Sequence, residues 1–332
     1  MNKKITIFAV ILIAIGIIGT ISSSIAAVPF ATNYINECAK KASEKVTIYE
    51  KKVDIKQLDI DTKNINVEVK KSNSDKLKIV QVGTLNNNTL TIDNKENTFD
   101  IKQNEENRHI DLEVQGFGDA VINMMNLGSN KIIVYVPNNI DIQAKTRYGD
   151  LIITDKDVLN ERVTFSTEYS QITLPKEVKS LENLTISSNG DINLKASEIL
   201  GIKNINISTT AGVYLQSMPD DVFIENIENF IPETFNIIAT KYSPSINIES
   251  TVPIAKKLNI DNKNGMTYLD LPTDKYNIEF NLDASENISF EDEQDNNQEP
   301  MKKFNGTIKQ NEENQNKYNV DIKSQIINIR NI

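Results

Sequence analysis

One short figure recurs along the chain at almost even spacing: two brief runs of alternating apolar residues around a small polar corner. Ile140/Ile142 and Leu151/Ile153 flank Tyr148-Gly149-Asp150, and Val163/Phe165 and Ile172/Leu174 flank Tyr169-Ser170-Gln171. Leu184/Ile186 and Ile192/Leu194 flank Asn189-Gly190-Asp191, and Ile205/Ile207 and Val213/Leu215 flank Ala211-Gly212. A looser copy has Tyr242-Ser243 ahead of Ile246/Ile248, and a last clear one has Leu258/Ile260 ahead of Asn264-Gly265 and Tyr268. Corners at 149, 170, 190, 212, 243 and 265 are separated by steps of 21, 20, 22, 31 and 22 residues. A fixed period of about 20 residues signals a stacked repeat.

The physics of such a repeat is restrictive. Alternate side chains of a strand point to opposite faces, so Leu184 and Ile186 share one face, as do Ile192 and Leu194. One copy cannot bury that face alone. Stacking copies covers it and pairs the backbone through parallel ladders between coils. An antiparallel meander would also place Asn-Gly at its turns, but the near-constant period favours the solenoid. Glycine at 149, 190, 212 and 265 suits a left-handed corner, which other residues adopt at a cost, whereas Ser170 and Ser243 imply a different corner. The expectation is an all-β fold: a single elongated β-solenoid or β-helix-like domain of stacked short strands, preceded by one N-terminal transmembrane helix.

That helix is read from residues 1–35. Lys3 and Lys4 precede a gap free of charge that runs to Glu37, and Ile5 to Ile21 is almost wholly aliphatic. About 20 apolar residues span a bilayer, and Ile5, Phe8, Leu12, Ile15, Ile18 and Ile21 would face lipid as the anchor. The run is long for a signal peptide, although Ser24-Ile-Ala26 would serve as a cleavage site. The expectation is a single-pass protein of the cell membrane, N-terminus cytoplasmic by the positive-inside bias. Its C-terminal domain would then be extracellular; secretion after signal cleavage is the alternative. Residues 36–50 read as a juxtamembrane connector and residues 51–332 as the extracytoplasmic β-repeat domain. Cys38 is the only cysteine, so no intramolecular disulfide forms.

Outside the regular copies, Leu58/Ile60, Ile65/Val67/Val69 and Leu77/Ile79 alternate, with Ser72 to Asp75 reading as a hairpin turn between the last two runs. Leu90 to Ile101 repeats the strand, polar turn, strand arrangement, and Ile110 to Val114 and Ile132 to Val136 read as strands. Val222 to Phe230, in the long step, reads as one helical turn or a loop. Ile278 to Phe290 and Tyr318 to Ile329 supply closing strands, with residues 291–300 a solvated loop between them. An atypical end rung is what a capped stack requires.

Candidate chemistry is sparse. His109 is the only histidine, and a histidine metal site or catalytic triad needs partners at set spacing, so it reads as a surface residue. Gly116-Phe-Gly118 lacks the third glycine of a nucleotide fingerprint. Asp150 and Asp191 follow corner glycines, but Val213 and Met266 stand at the next equivalent places and break any acidic ladder. Corner aspartates commonly accept local backbone N–H bonds; glycoside chemistry by paired carboxylates is the competing reading. Tyr148, Tyr169 and Tyr242 share the place before the corner and read either as a packed row between coils or as a ligand stripe. No metal and no cofactor is called for. A net charge of −10 disfavours nucleic acid as a partner.

The arrangement resembles the bacterial putative-adhesin family, a domain of unknown function in exported and membrane-anchored proteins of Gram-positive bacteria. The residues that carry the resemblance are Val53-Asp-Ile55 and Leu58-Asp-Ile60 leading to Ile65 to Val69, the Gly149-Asp150 and Gly190-Asp191 rungs, and the strands from Tyr318 to Ile329. It implies a β-solenoid-like fold and association with the cell envelope, and passes no catalytic residue to this chain. The functional expectation is a non-enzymatic, membrane-anchored extracytoplasmic β-repeat protein, either an adhesin or an envelope-associated binding or sensing module. Its partners would be the cell membrane, through the N-terminal helix, and a cell-wall polymer or an envelope protein. The alternative is a carbohydrate-active β-helix enzyme.

Overall fold

A computed structural model describes residues 40, 43–83, 90–104, 131–217, 227–241, 243–290, 299–308 and 316–332. The anchor residues Ile5 to Ile21, Cys38, His109, Gly116, Gly118, Tyr242 and the strand expected at Ile110 to Val114 lie outside the described residues, as does most of the 291–300 segment. Among the described residues no helix is long and apolar enough to cross a membrane. The chain divides into two compact units. The smaller comprises Met1–Val46, Val82–Leu85 and His109–Asn130; the larger comprises Thr47–Gln81, Asn86–Arg108 and Lys131–Ile332. In the smaller unit, the described backbone includes a bond from the Gly83 N–H to the Glu44 carbonyl at 3.0 Å.

The larger unit is built of short strands. In chain order they are β1 (Lys45–Lys52), β2 (Gln57–Asp61), β3 (Asn66–Lys71), β4 (Lys76–Val82), β5 (Leu90–Asn94), β6 (Thr98–Gln103) and β7 (Lys131–Val136). The repeats come next as β8 (Ile140–Thr146), β9 (Leu151–Ile153), β10 (Leu159–Thr167), β11 (Ile172–Thr173), β12 (Asn183–Ser188) and β13 (Ile192–Lys195). A single-turn helix α1 (Ala196–Ile199) precedes β14 (Asn204–Thr209), β15 (Val213–Gln216), β16 (Thr234–Ala239) and β17 (Ser245–Glu249). Four strands complete the set: β18 (Lys257–Leu271), β19 (Asn277–Phe290), β20 (Lys303–Thr307) and β21 (Lys317–Asn331).

Each repeat bends at its corner, so the strand before it joins one column and the strand after it joins another. The first column runs β5-β6-β2-β8-β10-β12-β14-β16-β18-β21-β19-β20. Its interior pairs are parallel and in register, Val163 beside Leu184, Ile205, Phe235, Leu258, Val320 and Phe280 in turn. The second column holds β1-β4-β7-β3-β9-β11, then β13-β15-β17 and the second halves of β18, β21 and β19. Between β11 and β13 the ladder is spliced by one side chain. Gln171 donates through Nε2 to the Asp191 carbonyl (2.9 Å) and accepts the Asn193 N–H at Oε1 (3.1 Å), as a peptide group would. The inward rows are fully buried, each large aliphatic side chain contributing on the order of 1.5–3 kcal/mol.

Strand order departs from chain order at both ends. β7 lies between β4 and β3, so Ser72 to Asp75 is not a hairpin turn. The continuous apolar run Ile132, Ile133, Val134, with Val136, is suited to burial between neighbours. β21 lies between β18 and β19, so the C-terminal strand is an inner coil and not the end rung. The first column is instead closed at each end by an antiparallel strand, β5 on β6 and β20 on β19. Each closing strand is only 5 residues long, and a short edge strand offers little for further strands to pair with. Of the Val222 to Phe230 segment, residues 227–230 form a 3₁₀ turn, and Ile227 and Phe230 pack on Ala196 and Leu200 of the α1 region.

The corner glycines do not serve the purpose expected of them. Among the described residues, positive φ occurs at Gly83, Gly201 and Gly306 and at Glu177 and Ser243, not at Gly149, Gly190, Gly212 or Gly265. Their role is close approach. A Cβ at Gly149 would lie 2.1 Å from the Ile65 carbonyl oxygen, and one at Gly265 would lie 2.0 Å from that of Pro244. Conversely Ser243, the corner without glycine in the long step, is the left-handed one, at φ 56°.

Candidate functional site

The corner also organises polar groups, inside and out. Thr146, Thr167, Ser188 and Thr209 are buried in register at the last strand position before successive corners. Their hydroxyls satisfy the bend: Thr167 Oγ1 accepts the Ser170 N–H (2.9 Å), Ser188 Oγ accepts that of Gly190 (3.0 Å), and Thr209 Oγ1 accepts that of Ala211 (3.0 Å). Thr209 also donates to the Gly190 carbonyl of the preceding coil at 3.0 Å. This inner hydroxyl row was readable as Thr or Ser two or three residues before each of the corners at 149, 170, 190 and 212.

One residue earlier in each strand the side chains point outward, and there a polar groove of about 600 Å³ runs across the coils. Its floor is the register row Asp61, Lys145, Ser166, Ser187 and Ser208. Lys63, Arg147, Glu168, Asn189 and Thr210 form its rim on the corner side. Arg147 Nε donates to Glu168 Oε2 at 2.8 Å, tying two coils together. The next residues along, Tyr148 and Tyr169, stack with centroids 5.7 Å apart and planes 9° from parallel. They are nevertheless 55% and 61% exposed, and the Arg147 guanidinium lies 5.4 Å from the Tyr148 ring centroid. Gly190 has no side chain where a Cβ would come within 3.3 Å of the Tyr169 ring. Tyr148 and Tyr169 thus pack between two coils, as one of the two readings of the row expected, and remain exposed while doing so.

The corner aspartates are structural, and they reach further than a local turn. Asp150 Oδ1 accepts the Gln171 N–H at 2.9 Å and Asp191 Oδ1 accepts the Gly212 N–H at 2.7 Å, each on the following coil. These bonds join the Gly149 corner to that of Ser170 and the Gly190 corner to that of Gly212, while Ser243 and Gly265 meet through the Ser243 N–H and the Asn264 carbonyl at 2.8 Å.

Other buried charges are accounted for by their neighbours. Burial alone would push the Glu68 carboxyl up, but bonds from Lys131 and Lys70, each at 2.7 Å, outweigh it and hold it below its ordinary value. Asp141 behaves alike: burial is overcome by Arg162, Asn160 and the Glu161 and Arg162 N–H groups. Glu198 of α1 keeps a raised pKa from burial, with the Lys195 N–H at 2.9 Å. Burial, aided by Glu228, pushes the Tyr318 hydroxyl up to about 12. Among the described residues no group of three or more His, Cys, Asp or Glu is placed to hold a metal ion.

Sequence reasoning missed the asparagine rows. Asn236 Nδ2 donates to Asn206 Oδ1 (2.8 Å) and Asn259 Nδ2 to Asn236 Oδ1 (2.6 Å); an adjacent row joins Asn183, Asn204 and Thr234. The signal was present, since asparagine recurs between the paired apolar residues of Ile205/Ile207 and Leu258/Ile260. Such ladders tie stacked coils together.

Comparison with known proteins gives one family. A family model described as Toastrack DUF4097 matches residues 55–330. Two solved structures align over 87% of this chain. A putative adhesin from Bacteroides fragilis is 12% identical, with 97% of its own chain covered and a TM-score of 0.35. A putative cell adhesion protein from Clostridium sporogenes is 11% identical, with 100% of its chain covered and a TM-score of 0.20. A search of curated proteins found no match.

Proposed function

This chain belongs to the Toastrack DUF4097 family, and from that premise we propose that it is a non-enzymatic binding module held at the outer face of a cell membrane. The observation that carries the reading is the outward groove that crosses successive coils beside two exposed, stacked tyrosines. A linear polymer laid along the stack meets a fresh hydroxyl or charge at each coil, at intervals of roughly 4.8 Å. Arg147, Lys145 and Lys63 supply donors, Ser166, Ser187 and Ser208 supply hydroxyls that both give and accept, and Tyr148 and Tyr169 supply apolar surface. That combination suits a hydroxyl-rich wall polymer. A repeated surface gains affinity by many weak contacts and needs no reacting group.

Residues 1–35 would hold the module at the membrane, with Lys3 and Lys4 inside and the β body outside. The charge-free run from Ile5 to Ile21 supports that placement. Both parts are tested with the full chain carrying a C-terminal tag in intact bacteria. Protease shaving should remove the tag without lysis, and the remaining stub should fractionate with membranes. The intact protein, solubilised and immobilised, should retain wall polymer from an envelope extract, and Tyr169→Ala with Arg147→Ala should retain less. Recovery of the bulk of the chain from the cytosol, or retention unchanged in the double variant, would refute the corresponding part.

A further inference from the structure

A second outward feature lies on the other column, and it is independent of the groove. Tyr214 on β15, Asn247 on β17 and Tyr268 on β18 are neighbours in one register row. Both tyrosine rings fold back along their own strands. The Tyr268 hydroxyl meets Met266 Sδ at 3.2 Å, and Tyr214 Cε2 would lie 2.8 Å from a Cβ at Gly212. The coil between them carries short polar side chains, Ser245 Oγ donating to Asn247 Oδ1 at 3.3 Å. The result is a slot of about 390 Å³ flanked by Tyr214 and Tyr268, with Asn247 on the coil between them.

Its dimensions and charge select a class of ligand. Tyr214 and Tyr268 are two coils apart, roughly 9.6 Å at the usual strand spacing. A group midway between them stands about 4.8 Å from each, inside the ~6 Å reach of a cation over an aromatic face. The end of the slot is closed by Gln216, Glu249, Asp270 and Arg330. Arg330 is neutralised there, its Nε and Nη2 donating to the two oxygens of Asp270 at 2.7 and 2.6 Å. Glu249 is exposed, and among the described residues its carboxylate has no hydrogen-bond or ion-pair partner. Lys195, the next cation along that row, lies beyond Gln216 and so about two coils from Glu249. The slot therefore offers two tyrosine rings and one unneutralised carboxylate to a positive group.

We propose that the slot between Tyr214 and Tyr268 is a binding site for an alkylammonium group, with Glu249 as its counter-charge. The two rings attract the cation through their quadrupoles, and Asn247 between them fixes how deep the group sits.

The test uses choline as the probe, titrated onto the full chain in a maltoside detergent and an amine-free buffer, with the choline methyl protons followed by NMR. Insertion between two rings should move that resonance upfield and saturably. The uncharged carbon isostere 3,3-dimethylbutan-1-ol should show no saturable shift. Tyr214→Ala and Tyr268→Ala should each weaken binding by about 2- to 5-fold, and Glu249→Gln by a similar factor. Tyr268→Phe, which keeps the ring, should bind like the parent, and Tyr148→Ala, at a corner away from the slot, should leave the titration unchanged. Far-UV circular dichroism verifies that each variant is folded. Absence of a saturable choline shift, an equal response to the isostere, or full binding by folded Tyr214→Ala and Tyr268→Ala would overturn the proposal.

Discussion

Replacing each corner glycine by alanine should give a graded series, because the four glycines face different clearances. At Gly149 the added Cβ falls 2.1 Å from the Ile65 oxygen and 2.6 Å from its carbonyl carbon. Ordinary contact begins near 3.4 Å, so the two coils must part by more than about 1 Å, a scale at which cores already register a single methylene. They are held on both sides of that point, by the Tyr148 N–H to the Lys63 carbonyl at 2.6 Å and the Val67 N–H to the Asp150 carbonyl at 2.8 Å. Overpacking of this kind costs about 1–3 kcal/mol, and each weakened ladder bond about 1 kcal/mol more, giving roughly 3–5 kcal/mol in all. Gly265→Ala, at 2.0 Å from the Pro244 oxygen, belongs with it. Gly212→Ala is intermediate, at 2.8 Å from a movable tyrosine ring and 2.9 Å from the Ser245 oxygen. Gly190→Ala meets nothing closer than 3.2 Å, so a shift of a few tenths of an ångström offsets the unfolded-state gain of about 0.4–1 kcal/mol, and the change is near neutral. Thermal unfolding followed by circular dichroism reads the series; at about 2–4 °C per kcal/mol, Gly149→Ala should melt roughly 6–20 °C below the parent. A left-handed corner would behave otherwise. All four alanine variants would then lose similar amounts, and asparagine at 149 would recover part of the loss. Either result refutes the close-approach argument.

Ser243 holds a left-handed conformation without being glycine, so Ser243→Gly should raise stability by about 0.5–1 kcal/mol in chemical denaturation. Glu198 has its pKa raised by burial, so the folded state binds its proton more readily than the unfolded one and stability falls as pH rises from the ordinary carboxylate value through the folded one. Glu198→Gln keeps an acceptor for the Lys195 N–H and should be more stable than the parent at neutral pH, with the two converging in acid. Asp141 has the opposite sign. Its folded pKa is depressed, so its contribution is complete above the ordinary carboxylate range and is lost as pH falls through the folded value. Asp141→Ala should cost about 2–3 kcal/mol at pH 7, and the gap should narrow in titrations below about pH 4.

Much of the larger unit was legible in the chain because its period is a mechanical requirement. Each copy must reach its corner after the same number of residues or its apolar face slips out of register with the next, and corners at 149, 170, 190 and 212 show that constraint directly. Strand order at the ends was not legible. Nothing local tells β21 to lie between β18 and β19, or β7 to separate β4 from β3, since those placements are long-range choices between strands of similar composition. The purpose of the corner glycines was misread for a physical reason: a left-handed φ and a closely approaching backbone both exclude a Cβ, and a single chain cannot distinguish them. The exposed tyrosine pair was visible as Tyr148 and Tyr169 at one repeat position. The slot was not, because Tyr214 and Tyr268 stand 54 residues apart and become near neighbours only through the 31-residue step that precedes Ser243.

The stacking of coils in parallel register is the claim on which the groove, the tyrosine row and the slot all depend, and a pair of cysteines reads it directly. In a Cys38→Ser background, Ser187→Cys with Ser208→Cys places thiols on directly paired, outward positions of β12 and β14, about 4.8 Å apart at the backbone and within disulfide range. Stacked coils predict rapid crosslinking of this pair under mild oxidation, seen as a mobility shift in non-reducing gels. They predict none for Ser187→Cys with Asn193→Cys, whose positions fall in different columns. Crosslinking of the second pair with failure of the first would mean that β12 and β13 form an antiparallel hairpin, and would contradict the stacked coil.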